Sequence, residues 1–130
     1  MMKTFLLLLT LLSSLYAEHI SWRSDYEKAL LEAKKEHKVL MVLVVKNNCS
    51  NCNRLIKESF IDHPYIHELQ NKTIAVIVNN QSSSSYPREL FYTTHYPSLF
   101  FVDTQTELFL QEPLHYPLQT KDIQRVLREF

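Results

Sequence analysis

The chain has 130 residues, enough for one domain, and its 14 Lys and Arg balance its 14 Asp and Glu, so the formal net charge is zero. Bulk positive charge therefore does not recruit a nucleic acid, and 45% apolar with 22% charged residues describes a globular chain rather than a disordered one. Glycine is absent, which excludes Walker-type phosphate loops and dinucleotide-binding glycine fingerprints and leaves turns to Asn, Asp, Ser and Pro.

Residues 1–17 combine Lys3, an apolar run from Phe5 to Leu12 and the small Ala17, the pattern of a secretory signal peptide. The run is shorter than the roughly 20 residues of a membrane span, and no Cys follows Ala17, so no stable membrane anchor is expected after cleavage. The segment 18–130 then forms one domain with a formal charge of −1. The expected location is outside the cytosol, by preference a bacterial periplasm, since Leu127-Arg128-Glu129-Phe130 is no retention signal. Two cysteines are too few to staple a mini-fold, but a disulfide persists in such a compartment.

Along this domain, Ser24 and Glu27 have capping-box spacing, and Trp22, Tyr26, Ala29, Leu30, Ala33 and His37 recur at helical intervals, which predicts a helix over 25–36. Trp22 is expected to pin that helix. Val39 to Val45 is a run of seven apolar residues, a strand buried on both faces. After the polar turn 46–48, the spacing of Cys52, Leu55, Ile56 and Phe60 predicts a helix over 50–60. A short helix restarts at Asp62-His63-Pro64, with Pro at its first position. Residues 73–78 read as a second buried strand and Ser82–Ser85 as a flexible loop. A helix is expected over 87–93. Ser98 to Val102 reads as a third strand. A turn at 103–106 leads to a short fourth strand over 107–110. Pro113 and Pro117 interrupt the next loop, and Thr120 caps a last helix carrying Ile123, Val126, Leu127 and Phe130. Phe60, Tyr92, Phe100, Phe101 and Phe109 are expected in the core. Phe100 and Phe101, being adjacent, face opposite sides of the sheet. The order predicts an α/β fold: a central mixed β-sheet of about four strands with helices on both faces.

The chemistry concentrates in Cys49-Ser50-Asn51-Cys52, after a buried strand and at a helix start. Free N–H groups at a helix N-terminus stabilise a thiolate, and the thiolate is the species that attacks a disulfide. Cys49, at the exposed end, is the expected nucleophile, and Cys52, one turn deeper, the resolving thiol. A different reading pairs Cys49 and Cys52 with His63 and His67 in a zinc-finger-like pattern, but the gap of ten residues, the apolar strand before Cys49 and the lack of a basic recognition helix disfavour it. No cofactor and no metal are expected. His37, His95 and His115 read as surface residues, although His95 lies two positions before Pro97.

With these residues in view, the sequence resembles the thioredoxin superfamily, and within it small exported thioredoxin-like proteins. The matching parts are Trp22, Ala29 and Ala33 before Lys38, the strand 39–45, Cys49-Ser50-Asn51-Cys52, the strand 73–78 and Tyr96-Pro97-Ser98 opening the strand that ends at Val102 and Asp103. The resemblance implies a thioredoxin-like fold and a cis Pro97 lying against the active-site disulfide. It also implies that the backbone of Tyr96 is offered to an extended substrate. Asn48, Ser50 and Asn51 join Tyr96 and Pro97 as candidate substrate contacts. The chain departs from the family in three places. Asn48 replaces the aromatic residue before the first Cys, Ser50-Asn51 replaces Gly-Pro, and Leu43 stands where many members carry a buried acid that helps deprotonate the resolving thiol. The implied activity is thiol–disulfide exchange, in the reducing direction by preference. Its partners are disulfide- or thiol-bearing proteins and a separate protein that recharges the site. The competing readings are a peptide-binding module with a structural disulfide and a metal-binding protein using the two cysteines.

Overall fold

The computed structural model describes residues 18–130, so the signal segment read at 1–17 lies outside the described residues. Five strands form one sheet: Trp22–Arg23 (β1), Val39–Val45 (β2), Thr73–Asn79 (β3), Ser98–Val102 (β4) and Leu114–His115 (β5), in the order β1-β3-β2-β4-β5. The two apolar runs pair in parallel from Val39↔Thr73 to Val45↔Asn79, and β4 lies antiparallel to β2 from Leu40↔Val102 to Val44↔Ser98. Four helices cover the sheet: Tyr26–Glu36 (α1), Ser50–Ser59 (α2), Ile66–Lys72 (α3) and Thr120–Glu129 (α4). This is the mixed, thioredoxin-like α/β architecture expected, but both edge strands, β1 and β5, are ones the sequence does not suggest, and 107–110 is not among the five.

Alternation along the strands builds two apolar layers. Met41, Leu43, Ala75, Leu99 and Phe101 meet α2, α3 and α4 through Leu55, Ile66, Leu69, Ile123, Val126 and Leu127. Leu40, Val42, Val44, Ile74, Val76, Phe100 and Val102 meet α1 through Tyr26, Ala29, Leu30 and Ala33, with Tyr86 and Phe91 filling the end of that layer. Phe100 and Phe101 do face opposite layers. Each layer also holds a dry tyrosine: burial pushes the phenols of Tyr26 and Tyr65 up to about 12.

Several local expectations change in the folded chain. Asp25, not Ser24, caps α1, its Oδ1 accepting from Lys28 N at 3.1 Å. Trp22 does not pin α1; β1 delivers it to the other layer, where it meets Phe60 edge-on at 5.2 Å. The helix expected from residues 62–64 begins only at Ile66. The helix expected over 87–93 is a turn, with Phe91 N donating to Pro87 O. That turn plugs Phe91 into the core and leaves Tyr92 77% exposed, not buried. The serine run is tied down by Arg88, whose guanidinium donates to the carbonyls of Asn80, Ser82 and Ser84. Residues 107–110 do turn back along β4, but they make a single bridge, Val102↔Phe109, and Phe109 packs on Phe91 and Phe100 at the surface. The edge is completed instead by β5, in the stretch that Pro113 interrupts. Proline has no N–H to give a ladder, so the edge is built in two pieces around it. Thr120 begins α4 rather than capping it, and Gln119 N donates to Asp122 Oδ2 at 3.0 Å. Without glycine, left-handed backbone falls on His37, Asn48, Asp62 and Glu107, so His and Glu share work expected of Asn, Asp, Ser and Pro.

Candidate functional site

The site forms where β2 ends and α2 begins. Lys46–Asn48 cross from sheet to helix, and the turn closes with Asn48 at φ 53°. Asn tolerates this region because its short amide bonds locally; an aromatic residue there carries a larger steric penalty. Asn47 anchors the turn to the end of β3. Its N–H donates to Gln81 Oε1 at 2.8 Å, and its Oδ1 accepts from Asn79 Nδ2 at 2.9 Å.

Cys49 is the N-cap of α2, in extended conformation, and its Sγ accepts from Cys52 N at 3.1 Å. The two sulfurs are joined in a disulfide, with Cα atoms 5.3 Å apart. Cys49 is half-exposed, whereas Cys52 is 3% exposed. An attacking chain therefore reaches Cys49 and not Cys52. The amide that points at Cys49 Sγ is one of the unpaired donors of the helix start, the group that would hold a thiolate after reduction. Ser50 and Asn51 are exposed on the first turn.

The second wall comes from the loop before β4. The Tyr96–Pro97 bond is cis, Pro97 is buried, and the Tyr96 carbonyl oxygen lies 3.9 Å from Cys49 Sγ. In the disulfide the sulfur has no proton, so this is a contact; a Cys49 thiol would have one to donate. The Tyr96 phenol is fixed at both ends, donating to Thr93 O at 3.0 Å and accepting from Asn80 Nδ2. The Lys46 ammonium sits 5.4 Å from the centre of the Tyr96 ring. The structure thus brings Cys49, Cys52, Tyr96 and Pro97 together and sets Asn48, Ser50 and Asn51 around the cysteines. Leu43 is fully buried in the layer beneath α2, so the position of the family's acid is dry and uncharged.

His63 and His67 do not join the cysteines. His63 Nε2 bonds the Glu58 carbonyl near the far end of α2, and His67 faces Asn71. Among the described residues no group of three or more His, Cys, Asp or Glu gathers to hold a metal. The sequence reading missed the anchors Lys46, Asn80 and Thr93. It also missed that Tyr116–Pro117 is a second cis bond, and that His115 stands beside His95. The signal for the last two is the tripeptide His-Tyr-Pro, which occurs at 95–97 and again at 115–117.

A solvent-reachable sulfur at a helix start, disulfide-bonded to a buried one in this fold, supports a general thiol–disulfide oxidoreductase role. Comparison with known proteins places the chain by family and fold. The chain is 28% identical over 99 residues to an uncharacterized protein of Borreliella burgdorferi, covering 74% of this chain but only 41% of that protein's length. It is 28% identical over 131 residues to anterior gradient protein 3 of Mus musculus, covering 90% of this chain and 77% of the other. The solved structure of the DsbH oxidoreductase superposes with a TM-score of 0.65 at 17% identity, covering 85% of this chain and 84% of that one, a likeness of fold. The family model described as thioredoxin-like matches residues 21–104, from β1 through β4, so by more than half of its length the chain belongs to the thioredoxin-like family.

Proposed function

We propose that the chain is an exported oxidoreductase, by preference of a bacterial periplasm, that reduces protein disulfides through Cys49-Ser50-Asn51-Cys52. In the reduced enzyme the Cys49 thiolate attacks one sulfur of a substrate disulfide. The substrate S–S bond breaks, a mixed disulfide forms, and the second substrate sulfur leaves as a thiolate that takes up a proton. Cys52 then loses its proton and attacks Cys49 Sγ. This closes the Cys49–Cys52 bond and releases the other substrate thiolate. Two electrons pass from the cysteine pair to the substrate, and a separate redox protein with a dithiol returns them. Tyr96 and Pro97 would align the substrate backbone, with Asn48, Ser50 and Asn51 at the rim.

The observation that carries this reading is the asymmetry of the pair, with Cys49 reachable beside the Tyr96 carbonyl and Cys52 sealed. Cys52→Ser removes the resolving sulfur, so it should trap a mixed disulfide with a peptide disulfide, while the unaltered protein reduces insulin-type disulfides. Absence of both outcomes would sink the enzymatic reading. One observation favours a structural bridge instead: Leu43 leaves no acid to take the proton of Cys52. That reading requires a reduction potential below about −300 mV, well under exchange-active pairs. A redox titration separates the two.

A further inference from the structure

The second His-Tyr-Pro segment lies beside the first. Pairing of β5 with β4 sets His115 opposite Ser98, the residue after Pro97. The His95 and His115 rings are 5.2 Å apart between centroids and inclined by 48°, and both residues are exposed. Beneath them the Ser98 hydroxyl is fully buried. It lies 2.9 Å from His115 Nδ1 and 2.9 Å from Thr93 Oγ1, and it bonds the His95 carbonyl.

The Ser98 hydroxyl engages His115 Nδ1 and leaves Nε2 as the ring nitrogen without a partner. A metal on Nε2 selects the tautomer with the proton on Nδ1, which Ser98 accepts while it donates to the His95 carbonyl. At His95, Nδ1 is 3.2 Å from Thr94 Oγ1, so its Nε2 is likewise the outer nitrogen. The backbone of His95 is held as well. Its N–H donates to Thr93 Oγ1 at 3.1 Å, and its carbonyl accepts from Thr93 Oγ1 at 3.0 Å. A hydrogen bond on the inner nitrogen that leaves the outer one free is how proteins orient metal-binding imidazoles. The spacing fits: a tetrahedral ion at about 2.0–2.1 Å from each nitrogen carries two imidazole centroids roughly 5 Å apart.

We propose that His95 and His115 bind one divalent transition-metal ion of the zinc or copper(II) class through their Nε2 atoms, with water completing the shell. Imidazole suits these ions, and hard cations prefer oxygen. The site uses neither cysteine, so it is independent of the redox reading. Ser98 is its positioning residue.

The test is a calorimetric titration of the oxidised protein with Zn²⁺, where the disulfide removes both thiolates from competition, followed in parallel by the histidine ring signals in NMR. One saturable site should appear, with the His95 and His115 rings shifting first. His95→Asn and His115→Asn should each weaken binding at least about tenfold, and Ser98→Ala, which leaves both rings, about tenfold. His63→Asn and His67→Asn should change nothing. No saturable binding, unchanged affinity in the His95→Asn and His115→Asn variants, or loss in His63→Asn or His67→Asn would overturn the site. Should Ser98→Ala not fold, the two exposed histidine variants decide alone.

Discussion

The same tripeptide, His-Tyr-Pro, stands at 95–97 and 115–117, both times with a cis X-Pro bond, and the two copies live in different surroundings. In the first, Pro97 is buried, the Tyr96 carbonyl faces Cys49 Sγ, and the Tyr96 phenol is fixed between Thr93 and Asn80 under the Lys46 ammonium. In the second, Pro117 is exposed, and the Tyr116 phenol makes one exposed bond, to Glu58 Oε2 at 3.3 Å. The same three residues thus stand in two settings, and the neighbours decide which copy becomes part of a reactive site.

The largest effect expected is on exchange. Cys49→Ser should abolish disulfide reduction, whereas Tyr116→Ala should leave its rate within a factor of two or so, since no part of Tyr116 is placed at the sulfurs; an insulin-reduction assay reads both. Equal losses in the two variants would erase the distinction between the copies. The next effect is on stability. Tyr96→Phe removes two part-buried bonds, to the Thr93 carbonyl and from Asn80 Nδ2, and should cost about 1–2 kcal/mol, the ordinary net worth of such bonds. Denaturant melts measure it.

Two other tyrosines sharpen the contrast, because burial in the layers sets their phenols, the one on Tyr65 also donating to the Ser59 carbonyl. Burial pushes Tyr26 and Tyr65 from 10.0 up to about 12. A raised phenol means that folding favours the neutral form. The contribution is whole below pH 10 and is lost as pH rises through about 12. Stability should therefore fall across that window, and Tyr26→Phe and Tyr65→Phe should each flatten the fall. An unchanged slope in both variants would show that the two layers are wetter than their packing implies.

The strands at 39–45, 73–78 and 98–102 were legible because their interiors are buried on both faces and read as continuous apolar runs, with polar Thr73 and Ser98 only at their first positions. The cysteine pair with Tyr96 and Pro97 was legible as a resemblance, and the folded chain brings all four together. What could not be read is what depends on distant partners. Residues 114–115 have no strand signal of their own; they become an edge strand because Ser98 and Leu99 offer an unpaired ladder. That pairing, not any local preference, carries His115 to His95. Asp25 displaced Ser24 as a cap although both residues suit the role, since the choice depends on where β1 releases the chain. Phe91 shows the converse: a helical pattern over 87–93 gave way to one turn because the core needed its ring.

The smallest predictions concern the backbone beside each copy. Asn48 stands at φ 53° just before Cys49, so Asn48→Val should cost about 1–2 kcal/mol, the left-handed penalty for a residue with a bulky Cβ. Asn48→Gly removes the Cβ and should cost only a few tenths, and a melt of the oxidised protein distinguishes them. Near the second copy, Tyr116→Phe deletes one long, solvent-exposed bond and should stay within about 0.5 kcal/mol. If Tyr116→Phe were instead as costly as Tyr96→Phe, the phenol at 116 would have a structural duty that its surroundings do not display. The division between a segment recruited to the sulfurs and one left at the edge would then have to rest on the histidines alone.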